Sequence, residues 1–155
     1  MGRDFQEGMR RLNKKLTMLI PRAARVAGVQ ATRLGAEELV SMQKRLVPVD
    51  DGDLRDSITL TEPYGTTPPY SQPGGSRRAR GEEFIVTAGN SKVRYPHLVE
   101  FGTAPHTAGG IFEGAQHPGT AAQPFFWPSY RSLKGRITRR TNKAIKDAIA
   151  NSARG

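Results

Sequence analysis

Apolar residues recur at helical spacing through the opening part of the chain, and this pattern limits its folding most. Phe5, Met9, Leu12, Leu16 and Leu19 follow one another at intervals of four, three, four and three positions. Ala24, Ala27, Ala31, Gly35, Leu39, Met42 and Leu46 continue at three or four. Such spacing lines up one apolar stripe on an amphipathic helix. Arg10, Arg11, Lys14 and Lys15 are turned away from it. Pro21 removes a backbone donor and crowds the preceding turn, so it ends or kinks a first segment, and Pro48 stops the second. The expectation is helix over most of 3–46. The stripe is small at its start, which lets another element approach closely, and bulkier toward Leu46.

Strand periodicity comes next. Ser57 to Thr61 alternates polar and apolar residues, with Ile58 and Leu60 on one side. Phe84, Val86 and Ala88 alternate likewise. Between them lies EPYGTTPPYSQPGGSRRARG, residues 62–81, with four prolines, four glycines and three arginines. That composition excludes regular packed structure, and a connection this long exceeds ordinary hairpin loops several-fold. The reading is an antiparallel pair, 57–61 with 83–89, carrying a projecting arm. In RYPHLVEFGT, Pro96 suits a helix start and Gly102 the residue past its end. A second long loop, 102–123, contains His106 and His117. QPFFWPSY then places three aromatics before Pro128, a plausible helix start, and Leu133, Ile137, Ala144 and Ala148 with Ile145 and Ile149 mark a C-terminal amphipathic helix.

The fold expected is therefore α+β: a long N-terminal helix, a small antiparallel sheet with long loops, and a C-terminal helix packed on the sheet. One domain over 1–155 is expected, made of a helical segment 3–46, a sheet, short helix and two loops over 57–127, and a terminal helix over 128–150.

Charge is unevenly distributed. Residues 1–46 carry ten Lys/Arg against four acids, and 131–155 carry eight against Asp147 alone, whereas 47–130 carry six against nine acids. The positive field belongs to the two ends and attracts phosphate or an acidic protein neighbour; solvated helix faces are the plainer explanation. With no cysteine, disulfides, thiolate metal sites and a cysteine nucleophile are excluded. No run is apolar over the roughly 20 residues that span a bilayer, and the N-terminus lacks the apolar core of a signal peptide. A soluble protein of intracellular origin is expected.

VPVDDGDLRDSI, residues 47–58, is the densest cluster of charge. Asp50, Asp51, Asp53 and Asp56 offer oxygens at the close spacing hard cations use, yet the loop lacks the closing Glu of an EF-hand, since position 61 is Thr. A junction accounts for more of these residues. Pro48 ends the helix, Asp50 accepts backbone N–H groups in a turn, Gly52 supplies a positive φ, and Leu54 and Ile58 return to the core. His97 and Glu100 lie three apart and share a helix face, but His106 and His117 complete a metal site only if their loop folds back. No zinc signature, nucleophile elbow or phosphate-binding loop is present. No metal, cofactor or catalytic residue is assigned. Arg77, Arg78 and Arg80, with Tyr64 and Tyr70, put arginines and aromatics on one loop, a pattern suited to sequence-independent contact with nucleic acid.

Three segments together resemble the phage tail-completion and head–tail joining (neck) proteins, the group that includes the minor tail protein Z of phage lambda. VPVDDGDLRDSI is similar to the family's V-P-V-D-T-G-x-L-R-x-S-I, with Asp51 where Thr is usual. YPHLVEFGT is similar to Y-A-x-x-V-E-F-G-T, with Pro96 in place of Ala. QPFFWPSY and its following helix are similar to P-F-L-x-P-A and the terminal helix, so the resemblance spans roughly 25–150.

The resemblance implies a structural virion protein without catalysis, made in the bacterial host cytoplasm and placed at the head–tail junction. It implies a homo-oligomeric ring, by analogy a hexamer, contacting neighbouring neck and tail-tube proteins. Asp53, Arg55, Tyr70, Glu100, Phe101, Phe125 and Phe126 are the expected interface residues. Asp53 and Arg55 pair within the turn or across an interface, and Glu100 anchors the loop that follows it. Arg77, Arg78 and Arg80 are the expected contacts to genomic DNA. A positive lumen suits passing DNA and basic outer helices suit acidic neighbours; the sequence is compatible with either.

Overall fold

The computed structural model describes residues 3–154, the side chains of 3–5 excepted. The Phe5 side chain, first in the expected stripe, lies outside the described residues.

Helix α1 (Arg3–Lys14) passes through a π-helical turn (Lys15–Leu19) into α2 (Ile20–Leu46). Pro21 therefore does not end the helix. The turn before it widens instead, with the Ile20 N–H donating to Lys15 O five residues back. Such a bulge is a usual accommodation where the regular ladder is interrupted. α2 stops at Leu46, and the single helical turn α3 (Asp53–Asp56) leads into strand β1 (Thr59–Thr61). Strand β2 (Ile85–Thr87) pairs with β1 antiparallel, Leu60 opposite Val86. Helix α4 (Pro96–Phe101), the short strands β3 (His106–Thr107) and β4 (Gln116–His117), and helix α5 (Phe126–Arg154) complete the order. The α+β class is as expected, with α5 starting two residues before Pro128.

The chain forms two compact units. In residues 36–133, the core is built from Val47, Leu54, Ile58, Ala88, Val93, Phe125 and Phe126, with Val40, Val86, Val99 and Trp127 packed around it. This unit contains the junction, the sheet and the first turns of α5. Val86 packs on the core and Ala88, just past β2, belongs to it, while Ile85 and Thr87 on the other face are buried as well. Both faces are covered, so alternation does not reveal which is inner.

In residues 1–35 and 134–155, the second half of α5 lies against α2. A Cβ added to Gly35 would come within 2.5 Å of Ile137 Cγ2, and one added to Gly28 within 3.2 Å of Ile145. The small residues in the stripe are thus where the C-terminal helix approaches. α5 packs on the sheet's core through its start, as expected, and on α2 thereafter. Met9, Leu12, Leu16 and Leu19 remain exposed, so the apolar stripe along α1 and the π-helical turn is uncovered among the described residues.

The 62–81 connection is not a projecting arm. It folds back as a tongue: Gln72 and Ala88 exchange both backbone hydrogen bonds, at 2.8 and 2.9 Å, just beyond β2. Thr67, Ser71 and Ala79 are buried. The Thr67 hydroxyl donates to Gly75 O and accepts from the Arg77 N–H, both at 2.8 Å, adding side-chain bonds to the short antiparallel bridge of Thr66 with Arg78.

Candidate assembly surface

The acidic junction is built as a turn. Asp51, rather than Asp50, accepts the Asp53 N–H at 3.0 Å. Gly52 stands at φ 94° ahead of α3. Ser57 closes the junction: its hydroxyl donates to Leu54 O at 2.7 Å and accepts the Gly89 N–H at 2.9 Å, tying α3 to the second residue past β2. Arg55 pairs with Asp56 at 3.3 Å, not with Asp53, and both are exposed. Asp53 is also exposed at the start of the turn.

Glu100 is the one buried carboxylate among the described residues. Its Oε2 accepts the N–H groups of Phe125 and Phe126, each at 2.8 Å, and its Oε1 that of Trp127 at 3.0 Å. The first N–H groups of any α-helix lack intrahelical partners, and an anion there also meets the positive end of the helix dipole. Glu100 supplies that cap to α5 from a different helix. The Ser129 hydroxyl donates to Phe125 O one turn on. Phe125 is 1% exposed and Phe126 is buried beside it, while Phe101 is 68% exposed. Of the interface residues expected, then, Phe125, Phe126 and Glu100 form the interior, and Asp53, Arg55, Tyr70 and Phe101 face water.

Tyr70 holds a left-handed backbone, φ 60°, and the Arg94 guanidinium lies 4.0 Å above its ring. Such a conformation is uncommon for a bulky residue. The side chains of two tongue arginines are engaged. Arg77 bonds Glu83 through both terminal nitrogens, at 2.6 and 3.2 Å, and the Arg80 N–H donates to the same carboxylate. Those bonds, the Arg77 side chain's first, hold the Glu83 carboxyl below its ordinary pKa. Arg78 Nε donates to Tyr64 O at 3.0 Å.

The histidines separate into two places. His97 lines an apolar groove of about 190 Å³ between α4 and the start of α5, with Pro73, Phe101, Phe126 and Trp127. His106 and His117 face each other across β3 and β4, rings stacked 5.0 Å apart, beside a hollow of about 550 Å³ that Asp50, Asp51 and Tyr95 also line. Burial first, then the nearby aspartates, push the Tyr95 phenol above its ordinary pKa. Among the described residues no three His or carboxylate side chains are grouped to hold a metal.

The expected list omits the most exposed apolar pair in the unit. Residues 103–120 fold as a hairpin, closed by the Thr103–Thr120 pair, and Ile111 and Phe112 sit at its tip. Ile111 is 96% and Phe112 73% exposed. The signal was visible as two large apolar residues isolated in GGIFEGA, where a loop of small residues gives them nothing to pack on. The charge also sorts with the units: by sequence, 1–35 and 134–155 hold 15 Lys/Arg against three acids, and 36–133 hold nine against 11.

The family model described as "Bacteriophage HK97-gp10, putative tail-component" matches residues 10–102. The match takes in α2, the acidic junction and α4 through Gly102, and ends before the aromatic segment at 124–130. No curated protein and no solved structure matches the chain.

Proposed function

The chain belongs to the HK97-gp10-like family of bacteriophage tail components, and from that premise we propose that its copies form a ring at the head–tail junction, completing the tail so that it joins the filled head. Membership makes it a structural component of the virion that works among other phage structural proteins. No helix among the described residues is long and apolar enough to cross a membrane.

The observation that carries the ring reading is the uncovered apolar stripe along α1 and the π-helical turn, Met9, Leu12, Leu16 and Leu19. A regular stripe of this kind left in water is the mark of a surface made to be covered. In a ring, repetition of the basic unit would build a strong positive field, suited to DNA in the channel or to acidic neighbours outside it. Asp53, Arg55, Tyr70 and Phe101 are exposed and belong to the proposed contact surface. Glu100, Phe125 and Phe126 support it from beneath.

A second reading, sequence-independent binding of DNA by single copies, is favoured by the 15-to-three excess of basic residues in one unit. Light scattering and negative-stain microscopy, on the protein alone and mixed with tail tubes or DNA-filled heads, separate the two. Rings capping tubes or necks support the first. Monomers that ignore both particles and bind DNA with steep salt dependence sink it in favour of the second.

A further inference from the structure

We infer that the hairpin tip of one copy, Ile111 and Phe112, inserts into the α4–α5 groove of the next copy, making the head-to-tail contact of the ring. The inference rests on the ring reading above and names its joint. Tip and groove lie in the same compact unit, but no residue of 103–123 lines the groove. The tip therefore leaves its own chain's groove empty and itself in water.

The two surfaces are complementary. Phe101, Phe126 and Trp127 give the groove an aromatic lining, which suits an incoming aromatic ring edge-on. Its volume of about 190 Å³ is below the roughly 300–1,000 Å³ of small-molecule sites, and suits one large side chain. Glu113 is the only acid of the hairpin, and the groove lining includes His97. Glu100 offers the newcomer no charge to contend with, because its oxygens already accept from the start of α5. A knob and a pocket at different places on one chain make a heterologous contact, which closes into a ring when the rotation closes.

The absence of cysteine makes the test clean. Chains with Glu113→Cys are mixed with chains with His97→Cys, and the double variant is prepared alongside, each oxidised free and on tail tubes. The expected result is disulfide-linked heterodimers in the mixture and a ladder of linked oligomers in the double variant. Phe112→Asp, at an exposed tip, should keep the parent melting temperature yet raise the concentration for half-assembly about 30-fold, the loss typical of an interface anchor. Phe101→Asp should weaken assembly from the groove side. Rings that survive Phe112→Asp with no 113–97 link overturn the tip-in-groove contact and leave the ring reading standing. A chain that stays monomeric in both settings overturns both. A link from position 113 to a tail-tube protein instead of a second copy overturns the choice of occupant.

Discussion

Glu100 holds the backbone of Phe126 at 2.8 Å and thereby joins α4 to the first turn of α5. The same carboxylate takes the neighbouring N–H groups of Phe125 and Trp127. Three donors, two buried and one partly buried, thus depend on one side chain. Glu100→Ala leaves them unsatisfied, at about 1–3 kcal/mol for each such group, and should unfold the 36–133 unit at markedly lower urea. Glu100→Gln keeps the shape but turns an amide N–H₂ toward donors, so it should lose about 1–3 kcal/mol. Equal urea midpoints for Glu100→Gln and the parent would show that the cap does not stabilise the fold.

Two glycines separate strain from crowding. Gly52, at φ 94°, has open space where a Cβ would stand. Gly102, at φ 71°, would put a Cβ 2.5 Å from Thr120 O. Gly52→Ala should destabilise by about 1 kcal/mol, from backbone conformation alone. Gly102→Ala adds a clash with backbone and should lose at least about 2–3 kcal/mol. Thermal melts of the two variants check the order, and a reversed order refutes the assignment.

Local features carried much of the fold. Helical spacing, Pro48, and the Pro96 and Gly102 pair placed α2 and α4 because each depends on near neighbours in sequence. The failures share a cause in distant partners. Glu100 was read as anchoring the loop after it, without sight of the α5 N–H groups 25 to 27 residues away that it caps. The tongue read as an arm because composition reports the lack of a regular element but not the hydrogen bonds of Thr67. The α1 stripe was legible as a stripe, yet nothing in its spacing says that the chain leaves it uncovered. For the site, Phe101 and Tyr70 were named and are exposed; Ile111 and Phe112 were passed over because only His106 and His117 were singled out in their loop.

Gly35 and Ile137 mark the approach of α5 to α2. Gly35→Ala forces the Ile137 side chain to move and should destabilise by about 1–3 kcal/mol. Adding Ile137→Val frees space at the same contact, so the double variant should recover part of that loss. Purely additive losses in a double-mutant cycle would mean that the two residues do not touch.

Deleting 66–80 should damage the fold itself. The deletion removes the buried Thr67, Ser71 and Ala79 and breaks the Gln72–Ala88 pair beyond β2. The variant should lose the cooperative melt of the 36–133 unit. A deletion variant that melts as the parent does would restore the tongue to a mere spacer.

Acid should loosen the tongue before it unfolds the chain. The Glu83 carboxyl is held below its ordinary value of 4.5 mainly by the Arg77 guanidinium. A depressed folded-state pKa means that this stabilisation is fully present above the unfolded value and fades as pH falls through the folded one. Both partners are substantially exposed, so the effect is local rather than global. Amide hydrogen exchange at Arg80, whose N–H donates to Glu83, should lose protection in acid relative to that at Ala88, whose N–H donates to Gln72 O. Glu83→Gln should remove the difference. If protection at Arg80 stays constant relative to Ala88 down to the onset of global unfolding, the Arg77–Glu83 pair does not hold the tongue closed.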